Sequence, residues 1–353
     1  MTAQAAAVVT PARRPKTVIA VLSLACLAAV VLSVAVGSVS IAPTTVISVI
    51  ADHVLPWHPG TSATAVQAEI VWEFRLPRAM LGLVVGASLA VAGAVLQAVV
   101  RNPLADPFVF GVSSGASVAA VAVLTVASGA LAAVSVPVAA FAGALATTLA
   151  VFFLAQRRGR VTPNRLVLAG VAMSYLLSSV TSYLVLRAST PGGGVSEVLS
   201  WLSGSLAAAD WGDLGVPSLV LIVATVGLVL LARILNAFLT GDETAASLGV
   251  DVGRARLVLF AITSLLVGVV VAVSGAIGFV GLMVPHAVRM VVGSDHQWVL
   301  PASALAGGLL LVVVDIGARL ILAPSEVPVG LLTAVIGAPF FLWLLRRSGR
   351  GEA

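Results

Sequence analysis

The chain has 353 residues, 60% of them hydrophobic and 9% charged, with a net charge of +5. A soluble domain carries roughly 25% charged residues, so this composition excludes a soluble globular protein. A single lysine, Lys16, and a single cysteine, Cys26, exclude a Gly-Lys-Ser/Thr phosphate loop, a disulfide framework and a paired-cysteine metal site.

In chain order, ten apolar runs approach the length of about 20 residues that a spanning helix needs. They cover 18–40, 76–99, 112–133, 135–155, 164–187, 214–235, 255–275, 276–293, 298–321 and 329–345. The runs are continuous rather than alternating, which predicts helices and not a barrel. The first follows a basic start, as a signal peptide does, but outlasts the usual h-region of about 7–15 residues. It reads as an uncleaved first span, with Cys26 as a small buried residue within it. Long runs must be split at Val134–Pro137 and at Ser274–Ala276.

With ten spans and the N-terminus inside, only Arg75, Arg78, Arg187 and Arg319 of the 19 Lys and Arg residues fall on the outer side. That bias puts both termini, 1–17 and 347–353, in the cytoplasm. The basic charge therefore expresses topology and calls for no nucleic-acid partner.

Between the sixth and seventh spans lies a soluble-looking stretch, LTGDETAASLGVDVGRAR, Leu239 to Arg256. Thr240 and Glu243 have the spacing of a capping box, and Asp242 and Glu243 suit the positive end of a helix dipole. Gly249 can take the left-handed position that ends a helix, and Asp251 can cap the next one. A two-turn helix is predicted, carrying Ala245 and Leu248 on one side with Val250 just beyond. It is either an ordered connector or a docking element for a cytosolic partner.

Two Gly/Pro-rich interruptions occupy the same ordinal place in each five-span half. One is RNPLADPFVFGVSSGAS, Arg101 to Ser117; the other is SGAIGFVGLMVPHAVR, Ser274 to Arg289. Paired breaks of this kind point to an inverted repeat and to a translocation path, here beside Gly278 and Gly281. Gly82 and Gly86 permit close helix packing. Inside the spans, Asp315 has Arg319 one turn away, and His286 lacks a second titrating partner. A proton-coupled carrier would need more acids or histidines, and no nucleophile–base pair for an intramembrane enzyme can be assembled.

The run RLPRAMLGLVVGASLAVAGAVLQAVVRNPLADPFVFGVSSGAS resembles the FecCD family of ABC importer permeases for iron–siderophores, haem and cobalamin. So do GDETAASLGVDVGRARL, GFVGLMVPHAVRMVVGSDHQ, DIGARL and SEVPVGLLTAVIGAPFFLWLLRR, and the resemblance covers about residues 70–347. Ala276 stands where the family pattern has proline. The resemblance implies an all-α, type II importer permease of about ten transmembrane helices in two inverted halves, in the bacterial inner membrane. It also implies a second permease subunit, identical or not, two cytosolic ATPase subunits that use ATP and Mg, and an extracytoplasmic binding protein. The chain itself would hold no cofactor, no metal and no catalytic residue. ATPase coupling would fall to Thr240, Gly241, Asp242, Glu243, Ala245, Ala246, Leu248, Gly249 and Val250. Docking of the binding protein would fall to Arg75, Arg78 and Arg319, and the inner end of the path to Asn102, Pro103 and Leu104. The rival reading is an ion-coupled secondary transporter or channel that acts alone.

Overall fold

The computed structural model describes residues 14–37, 39–55, 63–126, 134–157, 160–188 and 195–348. The end of the predicted third span (127–133), most of the N-terminal tail and the last five residues lie outside them.

Helix α1 (Pro15–Ala35) starts on a proline, whose missing N–H costs nothing at a first turn. It is followed by α2 (Pro43–Val54), too short to span, which buries Val46 and Val49 against the C-terminal part of α1. The sequence pattern did not reveal α2, because this segment is short and amphipathic and lacks a long apolar run. Helix α3 (Ala65–Glu69) opens with a capping box in which Thr64 and Gln67 satisfy each other's backbone N–H groups. A π-helical turn, Ile70–Arg75, then feeds α4 (Leu76–Val100), giving 36 helical residues in a row.

Helix α4 is the axis of the molecule. Glycines let its neighbours reach its backbone: a Cβ on Gly86 would lie 2.2 Å from the Gly307 carbonyl oxygen, and one on Gly93 would lie 1.9 Å from that of Gly281. The glycine pair read as packing sites thus works inside this chain, at Gly86 more tightly than at Gly82.

After α4 the chain turns through 101–106 and a 3₁₀ turn, Pro107–Phe110, capped by Asp106. Then come α5 (Val112–Val126) and α6 (Val136–Ala155), a two-residue antiparallel ladder pairing Gln156–Arg157 with Arg160–Val161, and α7 (Pro163–Ala188). Short α8 (Val195–Leu202) precedes α9 (Gly215–Leu230), which bends by 61° into α10 (Ala232–Leu239). The sixth span therefore ends near Leu230 rather than at 235, and its predicted tail is an amphipathic helix turned away from the span. Next come α11 (Asp242–Ser247), α12 (Val252–Ser274), α13 (Val280–Val292), α14 (His296–Leu320) and α15 (Val329–Ser348). The eighth span starts at Val280, not 276, because Gly275 and Phe279 both adopt positive φ and hold 275–279 out of the helix.

Six described helices are long and apolar enough to cross a membrane, α9 reaches that length only when counted with the bent α10, and α5, α13 and α15 are shorter apolar helices. These ten apolar segments fall where the ten runs of the sequence do, six of them at full spanning length among the described residues. The chain is a multi-pass, all-α membrane protein. Its two breaks lie at opposite ends: 101–111 beside α11, and 275–279 against the loop after α8 and the start of α15, where Ser205 N–H donates to Ser274 and Gly330 N–H to Gly204.

Candidate functional site

At one end of the bundle α11 forms a rigid step between α10 and α12. Its C-terminus closes as predicted. Gly249, at φ +84°, donates to the Ala246 carbonyl, and Val250 donates to that of Ala245, the paired bonds of a Schellman turn. Asp251 accepts from Arg254 N–H and starts α12. The N-terminus differs from the prediction. Gly241, at φ +109°, is the residue before the first turn, and the Thr240 hydroxyl donates backwards to the Ala237 carbonyl, so no capping box with Glu243 forms. A positive-φ glycine lets the chain reverse there, which carries Thr240 out of reach. Ala245 and Leu248 also do not share a face. Ala245 is fully buried and Leu248 is 68% exposed, because their three-residue spacing spans the end of a helix only six residues long. Glu243 and Ala246 are exposed and Asp242 half-buried.

Asp242 receives Arg256 Nη2 at 3.0 Å on both carboxylate oxygens, and its Oδ1 lies 3.6 Å from Arg101 Nη2. The Arg256 guanidinium also sits 5.5 Å over the Phe238 ring. Arg101 is the left-handed residue that ends α4. Beyond it Asn102 bonds back to Gln97 O, and its side-chain oxygen takes the Leu104 N–H at 2.9 Å. Asn102 and Pro103 are exposed and Leu104 is half-buried. Gly281 packs between Leu89 of α4 and Pro107, whereas Gly278 has open space around it. Composition alone did not single out Gln97. This buried amide donates to the carbonyls of Gly281 and Leu282 and accepts from Arg289, which also reaches Ala94 O at 3.1 Å. A glutamine in the middle of an apolar run was the available signal, since polar groups in spans need partners.

At the opposite end, the three predicted docking arginines come together and are largely internal. Arg75 donates to the carbonyls of Val34 and Val39 at 2.8 and 2.6 Å. Arg319 donates to Val36 O and to both oxygens of Ser33. Both therefore satisfy carbonyls at the end of α1, which have no partner within the helix. Arg78 makes a forked contact with Asp315, Nη2 to Oδ1 at 2.8 Å, and its Nη1 reaches Glu326 at 2.8 Å. Arg319 meets the other side of Asp315 at 3.2 Å. Asp315 thus has two partners, where the sequence indicated only Arg319. Beside them His53 stacks on Trp72, and the Trp211 indole N–H donates to Trp72 O.

The site thus sits on a multi-pass bundle of apolar helices, with backbone breaks at opposite ends and a short helical step, α11, at one of them. Comparison with known proteins identifies the family. The chain belongs to the FecCD transport family, whose profile matches residues 24–347. It is 46% identical over 301 residues to the cobalamin import system permease protein of Halobacterium salinarum, covering 83% of this chain and 80% of that one. It is 42% identical over 282 residues to the hemin transport system permease protein of Yersinia pestis, covering 79% and 84%. The solved structure of a metal-chelate type ABC transporter in an inward-facing conformation superimposes with a TM-score of 0.80 at 30% identity, over 94% of this chain and 99% of the other.

Proposed function

We propose that this chain is the membrane-spanning permease subunit of an ATP-driven importer that carries a metal chelate, a haem or a corrinoid. The observation that carries the reading is α11: a helix locked at its C-terminus by Gly249 and Val250, which offers an exposed Leu248 to whatever lies beyond the membrane surface. An isolated exposed leucine is ordinary on a protein surface, but one on a rigid step between two spans has the form of a knob for a partner's groove. The reading assigns that partner as a cytosolic ATPase, which supplies ATP and Mg chemistry while this chain supplies the path and binds no cofactor or metal. On this reading the α11 end faces the cytoplasm of a bacterial inner membrane, an orientation the positive-inside bias supports. A second permease subunit completes the path.

The Arg75 end would receive an extracytoplasmic binding protein. Glu326 is 40% exposed and holds one nitrogen of Arg78, so an incoming carboxylate would compete with Glu326 for that guanidinium rather than with buried Asp315. Proteoliposomes holding the permease, the ATPase and the binding protein test the reading, with haem, cobalamin and ferric citrate offered in turn. Uptake that requires internal ATP and survives a protonophore is expected. Uptake by the permease alone, abolished by the protonophore, would establish the ion-coupled alternative.

A further inference from the structure

The 101–106 segment and α11 are far apart in sequence but share one carboxylate. Asp242 opens α11, and its carboxylate is held from two sides by residues of two other elements: Arg256 on α12 and Arg101 at the end of α4. The two arms are unequal. The Arg256 side chain is 6% exposed, contacts both carboxylate oxygens and lies over Phe238. The Arg101 side chain is 43% exposed and stands 3.6 Å away. Arg101 leads directly into the tight turn that Asn102 closes onto Leu104 and Ala105. Gly241 lies against the same guanidinium, since a Cβ there would fall 3.4 Å from Arg101 Nη1. Arg101 is thus the point at which α11 touches the residue that begins the turn.

We propose that Asp242 is a clasp joining the partner-facing helix to the 101–106 segment, with Arg256 as its fixed arm and Arg101 as its releasable one. The inference rests on the importer reading, in which α11 takes up the motion of the ATPase. Asp242 and Arg101 are positioning residues: they transmit a displacement and touch no cargo. The weak arm is the functional one, because a water-accessible ion pair can open and close at small cost, whereas the buried Arg256 guanidinium would lose its charged acceptor out of reach of water.

The test uses the permease–ATPase complex in nanodiscs, with Cys26→Ser to remove the single native thiol and Leu104→Cys as reporter. The rate of maleimide modification is measured with and without MgATP. The reporter alone should show an MgATP-dependent rate ratio. Arg101→Gln should shrink that ratio by up to about fivefold, the range of an exposed pair, with undiminished co-purification of the ATPase. Arg101→Lys, which keeps the charge, should preserve it. An unchanged ratio in Arg101→Gln, or an equal loss in Arg101→Lys, would overturn the clasp while leaving the importer reading intact. A permease with no MgATP response and no ATPase bound would remove both.

Discussion

Helix α4 is held at its two ends by two charge clusters that use the same chemistry under opposite conditions. In its first turn Arg78 grips Asp315 at 2.8 Å, with the two side chains 10% and 2% exposed. Just past its last residue, the cap residue Arg101 meets Asp242 at 3.6 Å, with 43% and 34% exposed. Removing charges from water costs several kcal/mol per ion, so the first cluster persists only because its geometry is forked and a second arginine, Arg319, shares the carboxylate. Water screens the second pair, and the median worth of such pairs is about 0–1 kcal/mol. One end of the axis is bound to α14 and α1 through buried contacts, and the other through a solvent-accessible pair. The same residue types thus make a buried, forked cluster at one end and a water-accessible pair at the other, which is the asymmetry the proposed clasp requires.

The largest effect expected from disturbing this arrangement is at Asp315. Asp315→Asn removes the charge that neutralises Arg78 and Arg319 and leaves buried guanidinium groups without it, a change worth about 3–5 kcal/mol. The melting temperature of the detergent-purified protein should fall markedly, along with its yield. A melting temperature equal to wild type would mean that the cluster does not hold this end as described.

Asp242→Asn should cost less, on the order of 1 kcal/mol. Arg256 is buried and loses a charged acceptor, but Asp242 is a third exposed and water can replace part of what is removed. Thermal unfolding of the same preparation, run at low and at high salt, separates the two ends. The gap between wild type and Asp242→Asn should narrow with salt, because exposed pairs are screened, and the gap for Asp315→Asn should not. Equal salt dependence would erase the distinction.

How much of this was readable beforehand depended on the scale of the signal. The apolar helices were legible because each comes from a run of roughly 20 mostly apolar residues, the length of a membrane crossing. The Schellman turn was legible too, because Gly249 and Asp251 sit at fixed offsets from a helix end and act over three or four residues. The capping box was not, since Thr240-x-x-Glu243 describes a spacing and the decision was made by the backbone of Gly241, whose φ of +109° swings Thr240 back toward α10. Helix α2 escaped because amphipathic segments next to long spans look like loops when only hydropathy is read. The two clusters were the least legible: Arg78 and Asp315 are 237 residues apart, and Arg101 and Asp242 are 141 apart by number. Only the approach of α14 and α11 to the two ends of α4 brings them together. The same distance in sequence hid the internal partners of Arg75 and Arg319, which from pattern alone were simply arginines at a membrane edge.

The smallest effect on the fold, and the sharpest on assembly, belongs to Leu248. Its side chain is 68% exposed and lies one residue before Gly249, next to an apolar cleft lined by Leu231, Ile234 and Val258. A carboxylate there meets water, so Leu248→Asp should change the melting temperature little, within the roughly 0.5 kcal/mol usual for surface substitutions. If Leu248 seats in an apolar groove of an ATPase, the same carboxylate would be buried without a partner when the complex forms, which is strongly unfavourable. Co-purification of the ATPase should then be lost while the isolated permease remains as stable as wild type. This separates the two ends of the molecule once more, because an Asp315→Asn permease should fail first by unfolding and a Leu248→Asp permease by failing to assemble. Full ATPase recovery with Leu248→Asp would reduce α11 to a connector, and the rigidity that Gly249 and Val250 confer would need another explanation.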